Sequence, residues 1–224
     1  MILLFSGGID SYIAYHYLNK PQTLYFNLNT RYSTKELVVV KKLIPNTIIE
    51  NCIDFKTREE KYSAFVPYRN LHLALLANKY SDTIVIAGVK DDNVNDKNQT
   101  IFEEFSRLMS KMMDKEIKVT SPFWGATKVD VVRWFIGHGG TKEELLSTIS
   151  CYSEEDTLYC GACPACFRKW CALRAVGIDT LEFTNESLMR KYFDDALLGS
   201  KYDPDRSLNI IKQIRSVHPN WREI

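Results

Sequence analysis

Residues 5–11 read FSGGIDS, and their types suit the binding of a phosphate group. Two adjacent glycines let the backbone turn sharply and come close to a ligand. A turn that opens into a helix presents backbone N–H groups without partners at the positive end of the helix dipole. Ser6 and Ser11 add hydroxyl donors, whereas Asp10 would repel a phosphate unless a cation such as Mg²⁺ lay between them. The stretch therefore predicts a phosphate site with Mg²⁺, and an ordinary serine-capped turn is the alternative.

This turn differs from the two best-known glycine-rich phosphate loops. The Walker A pattern GxxxxGK[ST] is absent, and the turn contains no lysine. The dinucleotide pattern GxGxxG does not fit either, because the two glycines are adjacent. A P-loop is therefore excluded, and Asp10 points to a nucleotide bridged by a metal ion.

Four cysteines form a second group with chemical potential, spaced C-x8-C-x2-C-x2-C. They are Cys151, Cys160, Cys163 and Cys166. Four thiolates can close a tetrahedral Zn²⁺ site without leaving a position for water, so the metal would be structural. Reduced buried cysteines, a redox pair and an iron–sulfur cluster are the alternatives. Cys52 and Cys171 lie outside the pattern and are expected to pack in the interior.

Composition limits the classes of partner. The chain has 224 residues, 45% of them hydrophobic, which is enough for a sizeable core. Its 29 basic and 28 acidic residues give a net charge of +1, so bulk charge does not favour a nucleic-acid or membrane partner. No apolar run reaches membrane-spanning length, and the first residues do not read as a signal peptide. We expect a cytoplasmic protein whose cysteines are not paired as disulfides.

Alternating strands and helices are predicted to position these residues. Strands are predicted at 2–5, 24–28, 46–52, 83–88 and 117–122, and helices at 10–19, 33–44, 67–80, 100–114 and 128–140. This alternation predicts an α/β domain over 1–149 with a Rossmann-like parallel sheet, which would bind ligands at the carboxyl ends of its strands. Residues 150–224 are predicted to form a small zinc-binding lobe with helices at 167–176, 185–198 and 207–216.

The opening turn resembles the SGGxDS loop of the N-type ATP pyrophosphatases, the PP-loop superfamily. It follows the first predicted strand directly, as the loop does in that superfamily. The resemblance implies an adenine nucleotide alpha hydrolase-like fold, ATP held by its pyrophosphate, and adenylation of a substrate oxygen. It implies ATP contacts from the loop, from two strand ends and from the central helix, at Phe5, Ser6, Gly7, Gly8, Ile9, Asp10, Ser11, Phe26, Asn27, Arg69 and Gly88.

Together, the loop and the cysteine spacing resemble the 7-cyano-7-deazaguanine (preQ0) synthase family of queuosine-type pathways. VPYRN at 66–70 is similar to the VPxRN stretch of that family, and the similarity spans about residues 2–175. The resemblance implies an ATP-dependent C–N ligase that uses ATP, Mg²⁺ and structural Zn²⁺. It would convert 7-carboxy-7-deazaguanine and ammonia to the nitrile through adenylated intermediates and an amide. Catalytic roles would fall to Ser6, Asp10, Ser11 and Arg69.

Several departures from the family lie on the expected substrate side and indicate a divergent branch, with virus-encoded and archaeal-like relatives. Tyr68 stands where the best-known bacterial members have glycine, and the loop VKDDNVNDKNQTIF is shorter than theirs. Substrate contacts are predicted for Asp91, Asp92, Asp96, Phe123, Trp124 and Lys128. A solvated acidic loop and core packing are the alternatives for these residues, and Arg31 is a weaker candidate for phosphate contact.

Other functions stay open at this point. A divergent member could stop at the amide, and another PP-loop enzyme such as a tRNA thiolase, or a non-enzymatic zinc-ribbon module, are further alternatives. The expected partners are small molecules, with neither nucleic acid nor membrane bound directly, and family analogy suggests a homodimer. The product would serve queuosine-type or DNA modification in the cytoplasm of a bacterial, archaeal or virus-infected host cell.

Overall fold

Strands and helices alternate through the first two thirds of the chain, as the apolar periodicity predicts. A computed structural model describes residues 1–60, 65–92 and 94–221. Within them the elements are, in order, β1 (Ile2–Leu4), α1 (Ile9–Tyr17), β2 (Gln22–Phe26), α2 (Ser33–Leu43), β3 (Ile48–Glu50), α3 (Arg69–Ala77), β4 (Thr83–Ile86), α4 (Gln99–Met113), β5 (Lys118–Thr120), α5 (Lys128–Gly137), α6 (Lys142–Ser147), α7 (Pro164–Arg174), α8 (Glu186–Leu197) and α9 (Pro204–Val217).

In the described part of the chain, the strands form one parallel sheet in the order β3-β2-β1-β4-β5. Ile2 of β1 pairs with Gln22 of β2 on one side and with Ile84 of β4 on the other. The chain therefore first moves outward from β1 and later crosses back to add β4, which creates a switch point beside β1. Parallel sheets bind ligands at such points, at the carboxyl ends of the strands. The predicted Rossmann-like α/β fold is confirmed.

Apolar clusters cover both faces of the sheet. Leu3 of β1 packs with residues of α1, α2 and α5 in one buried cluster. Its neighbours Ile2 and Leu4 point the other way and pack with residues of α3 and α4 in a second cluster. Strands buried on both faces need nearly continuous apolar sequence, which explains why β1 reads as the run ILL.

Helix α7 joins the C-terminal helices to the α/β part. Its Ala172 and Leu173 belong to the cluster that covers one face of the sheet. Phe167 and Trp170, on the same helix, belong to a third cluster with residues of α8 and α9. Helix α7 is thus shared between two cores, and the division into 1–149 and 150–224 stays a prediction.

Two local features differ from the sequence expectations. Cys52 is exposed, not packed in the interior, because the edge strand β3 ends at Glu50 and the chain leaves the sheet there. Cys171 is buried as predicted. Helix α6 is not among the helices that the sequence pattern predicts, although the Thr141–Glu144 capping box that begins it can be read from the sequence. Within the described residues, every helix is too short or too polar to cross a membrane.

Candidate active site

A cavity of about 660 Å³ lies at the carboxyl ends of β1, β2 and β4, where the switch point was expected. Its volume is in the range of small-molecule sites. Its walls include ten of the residues predicted to form the site, which are Phe5, Ser6, Gly8, Ile9, Asp10, Ser11, Phe26, Arg69, Asp96 and Lys128. The structure therefore brings together the loop, the end of β2 and the start of α3, which are far apart in the sequence.

The glycine turn leads into the first turn of α1 at the wall of this cavity. Gly7 has φ of +71°, and a Cβ there would lie 3.1 Å from Val39 Cγ1, so both its backbone angle and its surroundings favour glycine. Gly8 is the N-cap of α1, and among the residues that the structure describes no side chain caps this helix end. The Ser11 hydroxyl donates to the Gly8 carbonyl at 3.0 Å. The amides of the first helical turn are therefore left for a ligand, as a phosphate cradle requires.

Asp10 faces a buried cation from the other side of the cavity. The Lys128 ammonium, in the first turn of α5, forms an ion pair with the Asp10 carboxylate. Burial lowers the pKa of Lys128 below its ordinary value, although Asp10 counteracts that effect. The sequence assigned the charge partner of Asp10 to Mg²⁺, whereas the structure provides Lys128 in contact with the same carboxylate.

A second polar group of the cavity surrounds Glu36 and Arg69. The Tyr25 hydroxyl donates to Glu36 Oε2 at 3.1 Å. Burial raises the pKa of Glu36 to about 7, although the charge of Arg69 works in the opposite direction. Arg69 begins α3. The side-chain amide of the next residue, Asn70, donates to Asp96 Oδ1 at 3.0 Å. Asp96 therefore links the polar loop after β4 to the start of α3.

Asp91 and Asp92 lie in the same polar loop, and both carboxylates have partners within the protein. The Asp92 side chain is 1% exposed and lies 2.5 Å from Arg168 Nη2 and 2.9 Å from Lys97 Nζ. Burial alone would raise its pKa, but the two cations outweigh burial and hold the pKa well below its usual range. Asp91 accepts a hydrogen bond from the backbone N–H of Lys128 at 2.8 Å. These two carboxylates are buried and paired, so the alternative of a solvated acidic loop does not describe them.

Other predicted site residues lie away from the cavity walls. Phe123 is buried in the cluster under α1 and α5, and Trp124 packs edge-on against Phe102 at 5.1 Å between ring centroids. A Cβ at Gly88 would lie 2.5 Å from the Trp124 ring, so this glycine makes room for the indole. Asn27 donates to Asn51 Oδ1 at 2.9 Å, and Arg31 pairs with Glu59 at 3.0 Å. The Gly7 carbonyl accepts from the backbone N–H of Ile149 at 2.9 Å. Ligand contacts by these residues stay predictions.

The structure adds wall residues that the sequence did not indicate. Helix α7 contributes Arg168 and Lys169, and the C-terminal segment contributes Lys191, Tyr192, Lys201, Tyr202 and Arg206. Arg206 donates to the Asp91 carbonyl at 3.0 Å and lies 4.4 Å from the centroid of the Tyr202 ring. No motif or unusual composition marks these residues in the sequence.

The four predicted cysteines come together beside the cavity. The Sγ atoms of Cys151, Cys160, Cys163 and Cys166 all lie within 4.8 Å of one another. Zn–S bonds of about 2.3 Å in a tetrahedron place sulfur atoms about 3.8 Å apart, so this set fits zinc with modest contraction. Cys163 is the N-cap of α7, and Pro164 follows it in the first helical position. A metal held here would fix the start of the helix that carries Arg168 and Lys169.

Comparison with known proteins identifies relatives. A family model described as "Queuosine biosynthesis protein QueC" matches residues 34–177. A 7-cyano-7-deazaguanine synthase of Methanocaldococcus jannaschii is 26% identical over 158 residues, which cover 65% of this chain and 67% of the relative. The synthase of Methanosphaerula palustris is 24% identical over 214 residues, which cover 79% of this chain and 95% of the relative. The synthase of Methanothermobacter thermautotrophicus is 30% identical over 129 residues, which cover 54% of this chain and 56% of the relative. The family match begins after the glycine turn and ends before α8.

Proposed function

Because the chain belongs to the QueC family of queuosine biosynthesis proteins, we propose that it converts 7-carboxy-7-deazaguanine, ammonia and ATP to 7-cyano-7-deazaguanine. One observation carries the proposal: the SGGIDS turn, outside the range of the family match, opens onto the same cavity as Arg69, inside that range. An uncapped helix start and a buried cation in one cavity suit a nucleoside triphosphate. The names of the relatives supply the product, 7-cyano-7-deazaguanine, and the carboxylate substrate is the one that the sequence resemblance implies.

The chemistry requires two activations. A carboxylate reacts poorly with ammonia because oxide would have to leave. Attack of a carboxylate oxygen on the α-phosphorus of ATP forms an acyl-adenylate and breaks the bond to pyrophosphate. Ammonia then adds to the acyl carbon, AMP leaves and a proton is lost, which gives the amide. In a second round, the amide oxygen attacks the α-phosphorus of another ATP and pyrophosphate leaves. Loss of AMP and protons from this adenylated amide then gives the nitrile.

The chain's own residues are proposed to position and neutralise rather than to form covalent bonds. The amides of the first turn of α1, with Ser6 and Ser11, hold the phosphate oxygens. Arg69 offsets negative charge from the opposite wall. Lys128 keeps the Asp10 carboxylate in place, and Mg²⁺, when bound, would supply further positive charge to the phosphates. Such pre-positioned charges account for most of the catalysis in phosphoryl and adenylyl transfer.

Zinc is proposed as a structural ion. All four ligand positions would be filled by cysteine sulfur, so none is left for substrate or water. Its contribution would be to hold the loop at 151–163 against the start of α7. Because α7 carries Arg168 and Lys169 into the cavity, zinc would support the site through the helix and not through chemistry.

The test is product analysis with purified, zinc-loaded protein. Incubation with ATP, Mg²⁺, ammonia and 7-carboxy-7-deazaguanine should yield the nitrile with two AMP and two pyrophosphates per product. Release of AMP should need the carboxylate substrate, and Ser11→Ala should slow it at least tenfold without unfolding the chain. An amide as the sole product would establish the shorter reaction that the altered loop at 89–99 raises. Failure of substrate-dependent AMP release would refute the proposal.

A further inference from the structure

Lys169 is a buried lysine held by neutral groups. Its side chain is 1% exposed, and its ammonium donates to the Thr148 carbonyl at 2.6 Å and to Thr148 Oγ1 at 3.0 Å. Among the described residues, no carboxylate lies within ion-pair distance of it. An ammonium has three N–H donors, and Thr148 accepts two of them. Because Lys169 also lines the cavity, one donor and a full positive charge are left for a ligand.

Thr148, which accepts the hydrogen bonds of Lys169, is connected to the glycine turn through the next residue. Ile149, the residue after Thr148, donates from its backbone to the Gly7 carbonyl at 2.9 Å. The Ile149 carbonyl lies 3.4 Å from where a Cβ of Gly8 would be. The path from the turn to the ammonium therefore passes through two consecutive residues, both of which are held by hydrogen bonds.

Two neighbouring cations of the cavity differ from Lys169 because each forms an ion pair with a carboxylate. Lys128 is paired with Asp10, and Arg168 is paired with Asp92. Their charges are largely offset before any ligand binds. A buried cation with no carboxylate beside it is costly, and a docked anion would reduce that cost. Burial lowers the pKa of Lys169 to about 8, although the nearby Cys166 thiolate works in the opposite direction and the charge of Lys128 adds to the lowering.

We infer that Lys169 binds the pyrophosphate portion of ATP and of the departing product, and so takes the place of the lysine that the SGGIDS turn lacks. The inference rests on the proposed function only in that ATP is the nucleotide bound. As the bond between the α-phosphorus and the bridging oxygen breaks, negative charge builds up on the leaving pyrophosphate. An ammonium that is already desolvated and fixed by Thr148 stabilises that charge without reorganisation.

The test compares anion binding in variants of the zinc-loaded protein. Lys169→Met removes the charge, Lys169→Gln keeps a donor for Thr148, and Lys169→Arg keeps the charge. Lys35→Met is the matched control, because Lys35 is also buried and donates to the Glu155 and Thr157 carbonyls, but does not line the cavity. Calorimetry measures binding of inorganic pyrophosphate, AMP and 7-carboxy-7-deazaguanine to each.

Loss of a charge-assisted contact should weaken pyrophosphate binding at least about tenfold in Lys169→Met and Lys169→Gln, while Lys169→Arg retains most of it. AMP affinity should stay within about twofold in every variant, as should pyrophosphate affinity in Lys35→Met. Unchanged pyrophosphate affinity in Lys169→Gln overturns the inference, and so does weakening confined to the carboxylate substrate. Wild-type protein that binds pyrophosphate without converting the deazaguanine acid would refute the proposed substrate and leave this inference standing.

Discussion

Lys128 and Asp10 form a buried ion pair that joins the first turn of α5 to the first turn of α1. The two residues are 118 positions apart in the chain, and their side chains are 8% and 18% exposed. The pair closes the cavity beside the glycine turn, so it connects the fold directly to the proposed phosphate site. Breaking a buried pair by removing one partner is destabilising, because the other charge is left without compensation.

Replacing Lys128 with methionine should therefore lower the free energy of unfolding by about 3 kcal/mol. The double variant Asp10→Asn with Lys128→Met should recover more than half of that loss, because no bare carboxylate is left. Substrate-dependent AMP release should stay low in both variants. Urea unfolding and AMP formation measure the two effects separately. A double variant as unstable as the sum of the single variants would show that the pair is not an energetic unit.

Tyr68 occupies a backbone conformation that suits glycine. Its φ is +57°, and its side chain is 68% exposed. A residue other than glycine in the left-handed conformation costs about 1–2 kcal/mol. Glycine relieves this strain, but its greater loss of conformational entropy on folding offsets about half of the stability gained. Tyr68→Gly should therefore raise the free energy of unfolding by about 0.5–1 kcal/mol. Tyr68→Ala, which keeps the Cβ, should not. Urea midpoints compare the two, and a destabilised Tyr68→Gly would indicate that the exposed ring makes a stabilising contact.

Glu36 should make stability depend on pH. Burial raises its pKa to about 7 in the folded chain, against an ordinary value of 4.5. Between these two values the folded chain holds a proton that the unfolded chain has lost, so the stability contributed by Glu36 falls as pH rises from about 4.5 to about 7. Glu36→Gln should remove this dependence, and its stability relative to wild type should rise by about 2 kcal/mol between pH 5 and pH 7.5.

The control for this prediction is Glu103→Gln, since Glu103 lies on the exposed face of α4 and its only described partner is Gln99 on the same helix. Urea unfolding at several pH values measures each variant. Parallel pH curves for wild type and Glu36→Gln would mean that Glu36 is ionised in the folded chain throughout this range.

Most of the fold could be predicted because it depends on local sequence. The run ILL before two adjacent glycines predicted β1 and the turn, and each predicted strand overlaps a strand of the sheet. The cysteines were predictable for the same reason, because three of them lie within seven residues and the fourth is nine positions earlier. Such features need no knowledge of how distant segments meet.

The remaining site residues depend on distant contacts. Asp92 reads as part of a polar loop, yet it is buried because Arg168, 76 positions later, neutralises it. Lys169 and Arg206 carry no spacing that distinguishes them from surface cations. Their place in the cavity follows from the packing of α7 on both cores and of α9 on α7. Long-range pairing of charges is therefore the information that the sequence pattern lacks.

The cysteine cluster should hold one zinc ion per chain, and its loss should reach the cavity through α7. Cys163→Ser removes both a ligand and the sulfur that accepts the Cys166 amide at the start of α7. We expect loss of zinc, lower solubility and weaker pyrophosphate binding, because metal binding and folding of such sites are coupled. Cys171→Ala is the matched control, since Cys171 lies buried on the same helix but outside the cluster. Zinc content is measured by atomic emission and binding by calorimetry. If Cys163→Ser kept its zinc and its affinity for pyrophosphate, the four cysteines would not form the metal site that supports α7.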